Sequence, residues 1–383
     1  MIDWNQSFSY SFPTNIRFGK GVIQELPDFL IEQDVSKPLI VTDSTVASLP
    51  FFGKILRQLD LKGLEPEVYD KMHKNPIKSD VLQGKDFYTK TNRDSIVAIG
   101  GGVAMDVARA IALSINHHRD LFDYDDLLGG DQYITEHVPI LVTVPTTAGT
   151  GSEVGRSAII SEDDSKKKRI LFHPKLMAKI VFADPELTMD LPPYITAATG
   201  MDALTHHMEA FLAKGFHPMC EGIALEGIRL ISGSLVNATH RPDLASRSKM
   251  LIASLMGAVA FQKGLGVVHS LAHPLSSLLD THHGLANAIN LPHGMAFNYE
   301  GNESKFDHMA FAWGLGSQAG QRFLEGLSEI NRELKLPESL SDIGVTQDHI
   351  PTLSQLAAAD FAHPNNPKTV TQTDFEILYR KAL

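Results

Sequence analysis

Short runs of consecutive apolar residues recur through the first half of the chain. Pro38–Asp43 reads P-L-I-V-T-D, Ser95–Ile99 reads S-I-V-A-I, and Pro139–Val144 reads P-I-L-V-T-V. Ala178–Ala183, A-K-I-V-F-A, is a fourth. Each is brief and rich in β-branched residues, as strands covered on both faces should be. Helical periodicity fills the intervals, over Gln24–Gln33 and Val103–Ser114. Strands alternating with helices predict a parallel, doubly wound sheet. After Asp184-Pro185 the pattern changes, and Leu191-Pro192-Pro193 is a rigid break. Helical patterns then follow over Ile195–Lys214, Met219–Asn237, Asp243–Gln262 and Gln318–Leu334, with a final helix from about Thr373. The expectation is an α/β domain over residues 1–187 and an all-α domain over 188–383. Ser161–Lys168, S-E-D-D-S-K-K-K, reads as a charged, solvated hairpin tip.

Composition narrows the function classes. A chain of 383 residues exceeds one ordinary core, which agrees with two domains. Hydrophobic residues at 43% and charged residues at 21% describe a globular protein. The net charge of −11, without a basic run, argues against nucleic acid and anionic membrane as partners. The single cysteine, Cys220, rules out an internal disulfide framework and agrees with a cytoplasmic location. The opening M-I-D-W-N-Q-S lacks the basic and apolar regions of a signal peptide. No apolar run approaches the roughly 20 residues of a membrane span.

Three stretches of the first half carry candidate phosphate and ribose chemistry. Gly100-Gly101-Gly102 directly follows a strand, and a helical pattern opens at Val103. Backbone amides of such a turn, with the helix N-terminus behind them, suit a pyrophosphate. The spacing is G-G-G, not the usual dinucleotide fingerprint. Asp106, in the first turn of that helix, either caps it or holds the glycine turn. Pro145–Glu153 (P-T-T-A-G-T-G-S-E) gathers hydroxyls and glycines at the end of the next strand, the edge where open α/β sheets bind ligands. Asp43 ends another strand. A carboxylate there accepts from a ribose diol and repels a 2′-phosphate, which favours NAD over NADP, although a strand-end Asp is commonly a cap.

The helical half carries candidate metal ligands. Val267–Gly284 holds four of the 17 histidines: His269, His273, His282 and His283. His269 and His273 lie one turn apart, with Pro274 either bending that helix or opening the next. Asp202 and His206 are spaced i, i+4 in a strong helical pattern and share a face. With His269 and His283 they make one oxygen and three nitrogen donors. That set suits Fe²⁺, Zn²⁺, Co²⁺ or Ni²⁺ better than Mg²⁺ or Ca²⁺. His207 and His282 read as bystanders. Each pair alone is as well explained as a surface or core pair, and the combination is what points to a metal.

At this point the chain resembles the iron-containing (group III) alcohol dehydrogenases, relatives of dehydroquinate synthase and glycerol dehydrogenase. The matching pieces are Phe18-Gly19-Lys20-Gly21, Val41-Thr42-Asp43, Asn75-Pro76, Gly100–Asp106, Pro145–Glu153, Asp184-Pro185-Glu186-Leu187, Thr196–His206, His269–Gly284 and Asn366-Pro367. The resemblance implies a dehydroquinate synthase-like architecture, with a Rossmann-like nucleotide-binding domain, a helical domain, and cofactor and metal in the cleft between. It implies Asp202, His206, His269 and His283 as ligands of one divalent metal, Fe²⁺ foremost, with Zn²⁺ or Ni²⁺ as alternatives. His273 would face substrate and nicotinamide without ligating. Asp43, Asn75, Gly101, Gly102, Asp106, Thr146, Thr147, Thr150, Lys168 and Leu187 would contact NAD. The reaction implied is reversible hydride transfer between NAD and a primary alcohol or its aldehyde. A homodimer joined through an N-terminal strand is the implied assembly.

Three positions depart from the family pattern. Val103 replaces the usual Ser after the glycines, leaving its backbone amide for the phosphate. Arg109 replaces a Lys and keeps the charge. Ser270 stands where Gly is common. Glycerol dehydrogenase lacks the histidine matched here by His206, which argues against a secondary-alcohol enzyme. A lyase of the dehydroquinate synthase type needs basic residues that the metal stretches lack. Metal-free maleylacetate reductase is disfavoured because all four ligand positions are filled, and nothing has been lost that would suggest a non-catalytic sensor. Phe261, Phe172 and residues 294–299 are candidates for substrate contact.

Overall fold

A computed structural model describes Phe12 and residues 14–383. The chain divides into two compact units. Among the described residues, one comprises 14–147 and Ser152–Asp190; the other comprises Leu191–Leu383 together with Ala148–Gly151 and Phe12. The division thus falls after Asp190, where the sequence places it after 187, and a four-residue piece of the Pro145–Glu153 loop belongs with the helices.

In the first unit six parallel strands form one sheet. They are β1 (Asn15–Phe18), β2 (Pro38–Val41), β3 (Glu67–Tyr69), β4 (Ser95–Gly100), β5 (Ile140–Pro145) and, after a hairpin, β8 (Ile180–Ala183). The order is β1-β8-β5-β4-β2-β3. Helices α1 (Leu26–Glu32), α2 (Ser44–Ala47), α3 (Pro50–Leu61), α4 (Lys78–Lys90) and α5 (Gly102–Asn116) make the crossovers. Successive side chains along a strand point to opposite faces. Leu39, Val41, Ile96, Ala98 and Leu141 enter one core with residues of α4 and α5. Ile40, Val97, Ile99, Val142 and Val144 enter the other with residues of α1 and α3. Two covered faces are why these strands read as unbroken apolar runs.

The four strands expected from the apolar runs are present, within two residues at each end. Four more strands escaped that criterion. β1 is an edge strand with an exposed pattern, and β3 has three residues. β6 (Ser157–Ser161) and β7 (Lys168–Phe172) form an antiparallel hairpin outside the main sheet, with Ser161 opposite Lys168. Its tip is the charged turn expected there.

The second unit is helical among its described residues. It holds α6 (Pro193–Leu212), α7 (Pro218–Ser232), α8 (Leu235–His240), α9 (Leu244–Ala260), α10 (Val267–Leu279), α11 (His283–Tyr299), α12 (Glu303–Trp313), α13 (Gly320–Glu333), α14 (Ile350–Ala358) and α15 (Gln372–Ala382). α6 is buried continuously from Thr196 to Leu212 and packs against α7, α9 and α11. The single helix expected over Met219–Asn237 is two helices, broken at Gly233-Ser234. α10 continues through Pro274, so the proline neither ends it nor opens another helix. Among the described residues, Leu244–Lys263 is long and apolar enough to cross a membrane, with mean hydropathy 1.3, but 56% of it is buried within the protein.

Candidate functional site

The strand order reverses between β2 and β4, since β3 lies beyond β2 and β5 beyond β4. Ligands of open α/β sheets bind at such a switch point, outside the carboxyl ends of the strands. Asp43 leaves β2 there, and Gly100–Gly102 leaves β4. A Cβ on Gly100 would stand 2.7 Å from Ala104 Cβ and 3.7 Å from Asp43 Oδ2. Only a glycine lets the turn lie this close to α5. Gly101 is the N-cap of α5 and supplies no side-chain cap for the first amides of this 15-residue helix. The next strand ends alongside: Gly100 pairs with Pro145, and the Thr146 amide donates to Gly100 O at 3.0 Å. Thr147 Oγ1 lies 3.3 Å from where a Gly101 Cβ would be. Asp43, Gly101, Gly102, Val103, Thr146 and Thr147 are therefore neighbours, whereas Thr150 belongs to the Ala148–Gly151 piece of the helical unit.

Asp43 is also a cap. Its Oδ1 accepts from Thr45 N at 2.9 Å and Val46 N at 3.0 Å. Asp106 is not one. It lies past the first turn of α5, and its carboxylate accepts from Ser152 Oγ at 2.9 Å and Ile159 N at 3.3 Å. The buried Arg109 donates to Ser152 Oγ at 2.8 Å, to Ser152 O and to Ser157 O at 3.2 Å. Arg109 and Asp106 thus tie α5 to the loop after β5 and to β6. Burial pushes the Asp106 carboxyl up to about 6, against the pull of Arg109, the Ser152 bond and Lys168. Burial likewise raises Glu153 to about 7. Lys168 opens β7, Asn75 precedes the Pro76 carbonyl that accepts from Ser161 N, and Leu187 is buried in the turn after β8.

In the helical unit, Asp202, His269 and His283 offer donor atoms that all lie within 4.8 Å of one another. Asp202 Oδ1 is 3.9 Å from His269 Nε2 and 3.5 Å from His283 Nε2. His206 Nε2 is 3.8 Å from the same oxygen, with its ring stacked on His269 at 4.8 Å. These residues come from α6, α10 and α11. Gly284 permits the approach of α11 to α6, because a Cβ there would stand 2.3 Å from Ala198 O and 3.3 Å from Asp202 Cβ. Burial lowers His206 to about 4 and keeps it neutral. Phe261 lies against it, centroids 5.0 Å apart. His207 points elsewhere, with Nε2 on Ala253 O at 2.8 Å. Phe172 belongs to the other unit, in β7 under the Arg156 guanidinium, and Gly294 packs on Val268.

Three residues not singled out from the sequence complete this site. Glu209 holds His269: Oε2 is 2.6 Å from Nδ1, while Oε1 accepts from Val268 N at 2.6 Å at the start of α10. Burial works against a charged His269, but the Glu209 bond and charge outweigh it and raise the imidazole. Glu209 follows His206 by three and Asp202 by seven, so the helical face already carried a signal. Asp360 holds His273, Oδ2 to Nδ1 at 2.8 Å, and accepts from the divergent Ser270 Oγ at 2.7 Å. His273 stacks between His283 and Phe361, at 5.4 and 5.3 Å. Asn287 follows His283 by one turn and reaches Asp202 Oδ1 at 2.7 Å.

Known proteins agree on what this arrangement belongs to. The family model described as iron-containing alcohol dehydrogenase matches residues 13–185, and its C-terminal counterpart matches 196–383. The chain belongs to the iron-containing alcohol dehydrogenase family. Within that family it is 36% identical to the 4-hydroxybutyrate dehydrogenase of Cupriavidus necator, over 97% of this chain and 98% of the relative. The crystal structure of a 1,3-propanediol oxidoreductase superposes with a TM-score of 0.93 at 30% identity, covering 99% of this chain and all of that one. The sulfoacetaldehyde reductase of Bifidobacterium kashiwanohense, solved in complex with NAD⁺, follows at 0.88 and 26%, covering 98% of this chain and 99% of that one. The six-stranded parallel sheet followed by a helical domain is thus the fold of an oxidoreductase family.

Proposed function

We propose that this chain is a metal-dependent, NAD-linked alcohol dehydrogenase that interconverts a primary alcohol and its aldehyde. The observation that carries the reading is the convergence of Asp202, His269 and His283, with His206 beside them. The donor set fits a divalent transition metal. His269 donates its Nδ1–H to Glu209, which in the neutral ring leaves Nε2 as the lone-pair atom facing Asp202, the carboxylate–histidine arrangement of metal sites. His206 is neutral and able to ligate. Asp202, His206, His269 and His283 would hold the ion. When bound, it supplies Lewis acidity to the substrate oxygen.

The rest of the chemistry falls to the protein's own residues. His273 is oriented by Asp360 through Nδ1, so its Nε2 is the atom that would take the substrate's hydroxyl proton; bound NAD would supply the hydride acceptor. In reverse His273 returns that proton. Phe361 and Phe261 shield the imidazoles from water on their apolar sides. In the other unit, the first amides of α5 and the Thr147 hydroxyl suit a pyrophosphate. The Oδ2 of Asp43 suits a ribose diol and disfavours NADP. The relatives support a terminal alcohol or aldehyde, because 4-hydroxybutyrate, 1,3-propanediol and sulfoacetaldehyde each react at a terminal carbon. A homodimer through β1 belongs to this reading, supported by the exposed pattern of that edge strand.

The test is absorbance at 340 nm with NAD and a panel of short primary alcohols. Turnover should vanish with a chelator, return with Fe²⁺ or Zn²⁺, and be lost together with metal content in Asp202→Ala. Full activity in chelated protein, or in Asp202→Ala, would sink the reading.

A further inference from the structure

One buried side chain in the helical unit has no place in that chemistry. Asn287 lies one turn after His283 on α11 and is wholly buried. Its Nδ2 is 2.7 Å from Asp202 Oδ1, 3.3 Å from His269 Nε2 and 3.2 Å from His283 Nε2. The Asp202 carboxylate oxygen can only accept, and His269 Nε2 accepts as well when the ring is neutral and donates to Glu209 through Nδ1. At the far end of the amide, Oδ1 is buried without a donor. Turning the amide over would set Oδ1 against the carboxylate and the imidazoles. The array of acceptors therefore dictates the orientation, even though it strands the other end.

A group of lone pairs gathered out of water repels itself unless something positive sits among them. An amide N–H₂ is the positive end of a neutral dipole, and it carries two hydrogens. We infer that Asn287 stands in for the ion: its Nδ2 holds Asp202, His269 and His283 together in metal-free protein and gives up the imidazoles when metal binds. Asn287 is thus a positioning residue of the proposed metal centre, and the inference rests on that reading. Its sign is the reverse of an ordinary supporting residue. Because it favours the metal-free form, it stabilises the apo fold and, by linkage, opposes metal binding.

The experiment compares chelator-treated full-length wild type, Asn287→Ala and Glu209→Gln, each titrated with Zn²⁺ against a competing dye and unfolded thermally with and without Zn²⁺. Asn287→Ala should bind Zn²⁺ roughly tenfold more tightly, since two modest hydrogen bonds need no longer be surrendered. Its metal-free form should lose more in Tm than its loaded form. Glu209→Gln should bind more weakly. Asn287→Ser, which keeps a hydroxyl donor in less space, should shift in the same direction by less, and it serves if the alanine variant does not fold. Unchanged or weaker Zn²⁺ binding in Asn287→Ala and Asn287→Ser, with equal Tm losses in both forms, makes Asn287 a packing residue and overturns this inference alone. Wild type that binds no Zn²⁺ overturns the metal reading and the inference with it.

Discussion

His269 Nδ1 lies 2.6 Å from Glu209 Oε2, and the other oxygen of that carboxylate accepts from the Val268 amide at 2.6 Å. One buried side chain therefore fixes both the tautomer of an imidazole and the start of the helix that carries it. Groups in this position typically govern metal affinity by 10–100-fold. Glu209→Gln should weaken Zn²⁺ binding about tenfold and Glu209→Ala about a hundredfold, measured by competition with a chelating dye. Unaltered affinity in both variants would show that His269 is held by its helix alone.

Gly284 lets two helices meet where the candidate ligands converge. An added Cβ at 2.3 Å from Ala198 O must push α11 away from α6, and neither backbone yields cheaply. Gly284→Ala should destabilise the protein by about 1–3 kcal/mol in urea unfolding. It should also reduce retained metal, because His283 is the next residue. A variant of wild-type stability with full metal content would mean the helices can separate without disturbing the site.

Burial alone raises Glu153, and this predicts a pH dependence of stability. Its folded carboxyl titrates at about 7, above the ordinary 4.5, so the folded state holds its proton more tightly than the unfolded chain. The contribution is whole below pH 4.5 and is lost as pH rises through about 7. At 1.36 kcal/mol per unit the loss is on the order of 3 kcal/mol. Glu153→Gln should therefore be the more stable protein at pH 8–9 and should flatten the decline between pH 5 and 8. Urea unfolding across that range checks it, and parallel curves for the two proteins would refute it.

Asp43 caps α2, and a substitution can separate that task from the ribose contact proposed for it. Serine caps helices as well as aspartate does but carries no charge. Asp43→Ser should keep α2 and the Tm, while the preference for NAD over NADP in kcat/KM falls by at least about tenfold, since the repulsion of a 2′-phosphate is gone. An unchanged ratio would place cofactor choice elsewhere.

Much of the fold was legible because it is written in short-range periodicity. β2, β4, β5 and β8 are apolar on both faces and announce themselves, as do the long helices. β1 and β3 were not legible, being short and at the sheet's edges; of the β6–β7 hairpin only the charged tip was, because its strands lie outside the sheet and lack a continuous apolar run. The break between α7 and α8 at Gly233-Ser234 was hidden because apolar spacing resumes in phase soon after it. Asp106 looked like a cap from its place near a helix start, but Ser152 and Ile159, 46 and 53 residues later, take its oxygens.

The sequence alone determined the alternation of strand and helix, the glycine turn before α5, the i, i+4 pair Asp202–His206 and the histidines after Val267. All of these depend on neighbours within a turn or two. Only the tertiary structure decided that Glu209 belongs to His269, 60 positions on, that Asp360 belongs to His273, 87 positions back, and that Asn287 reaches Asp202 across 85. It also assigned Ala148–Gly151 to the helical unit. Those partnerships arise from helices packed closely where glycines allow, and contacts between distant positions leave no period in the chain.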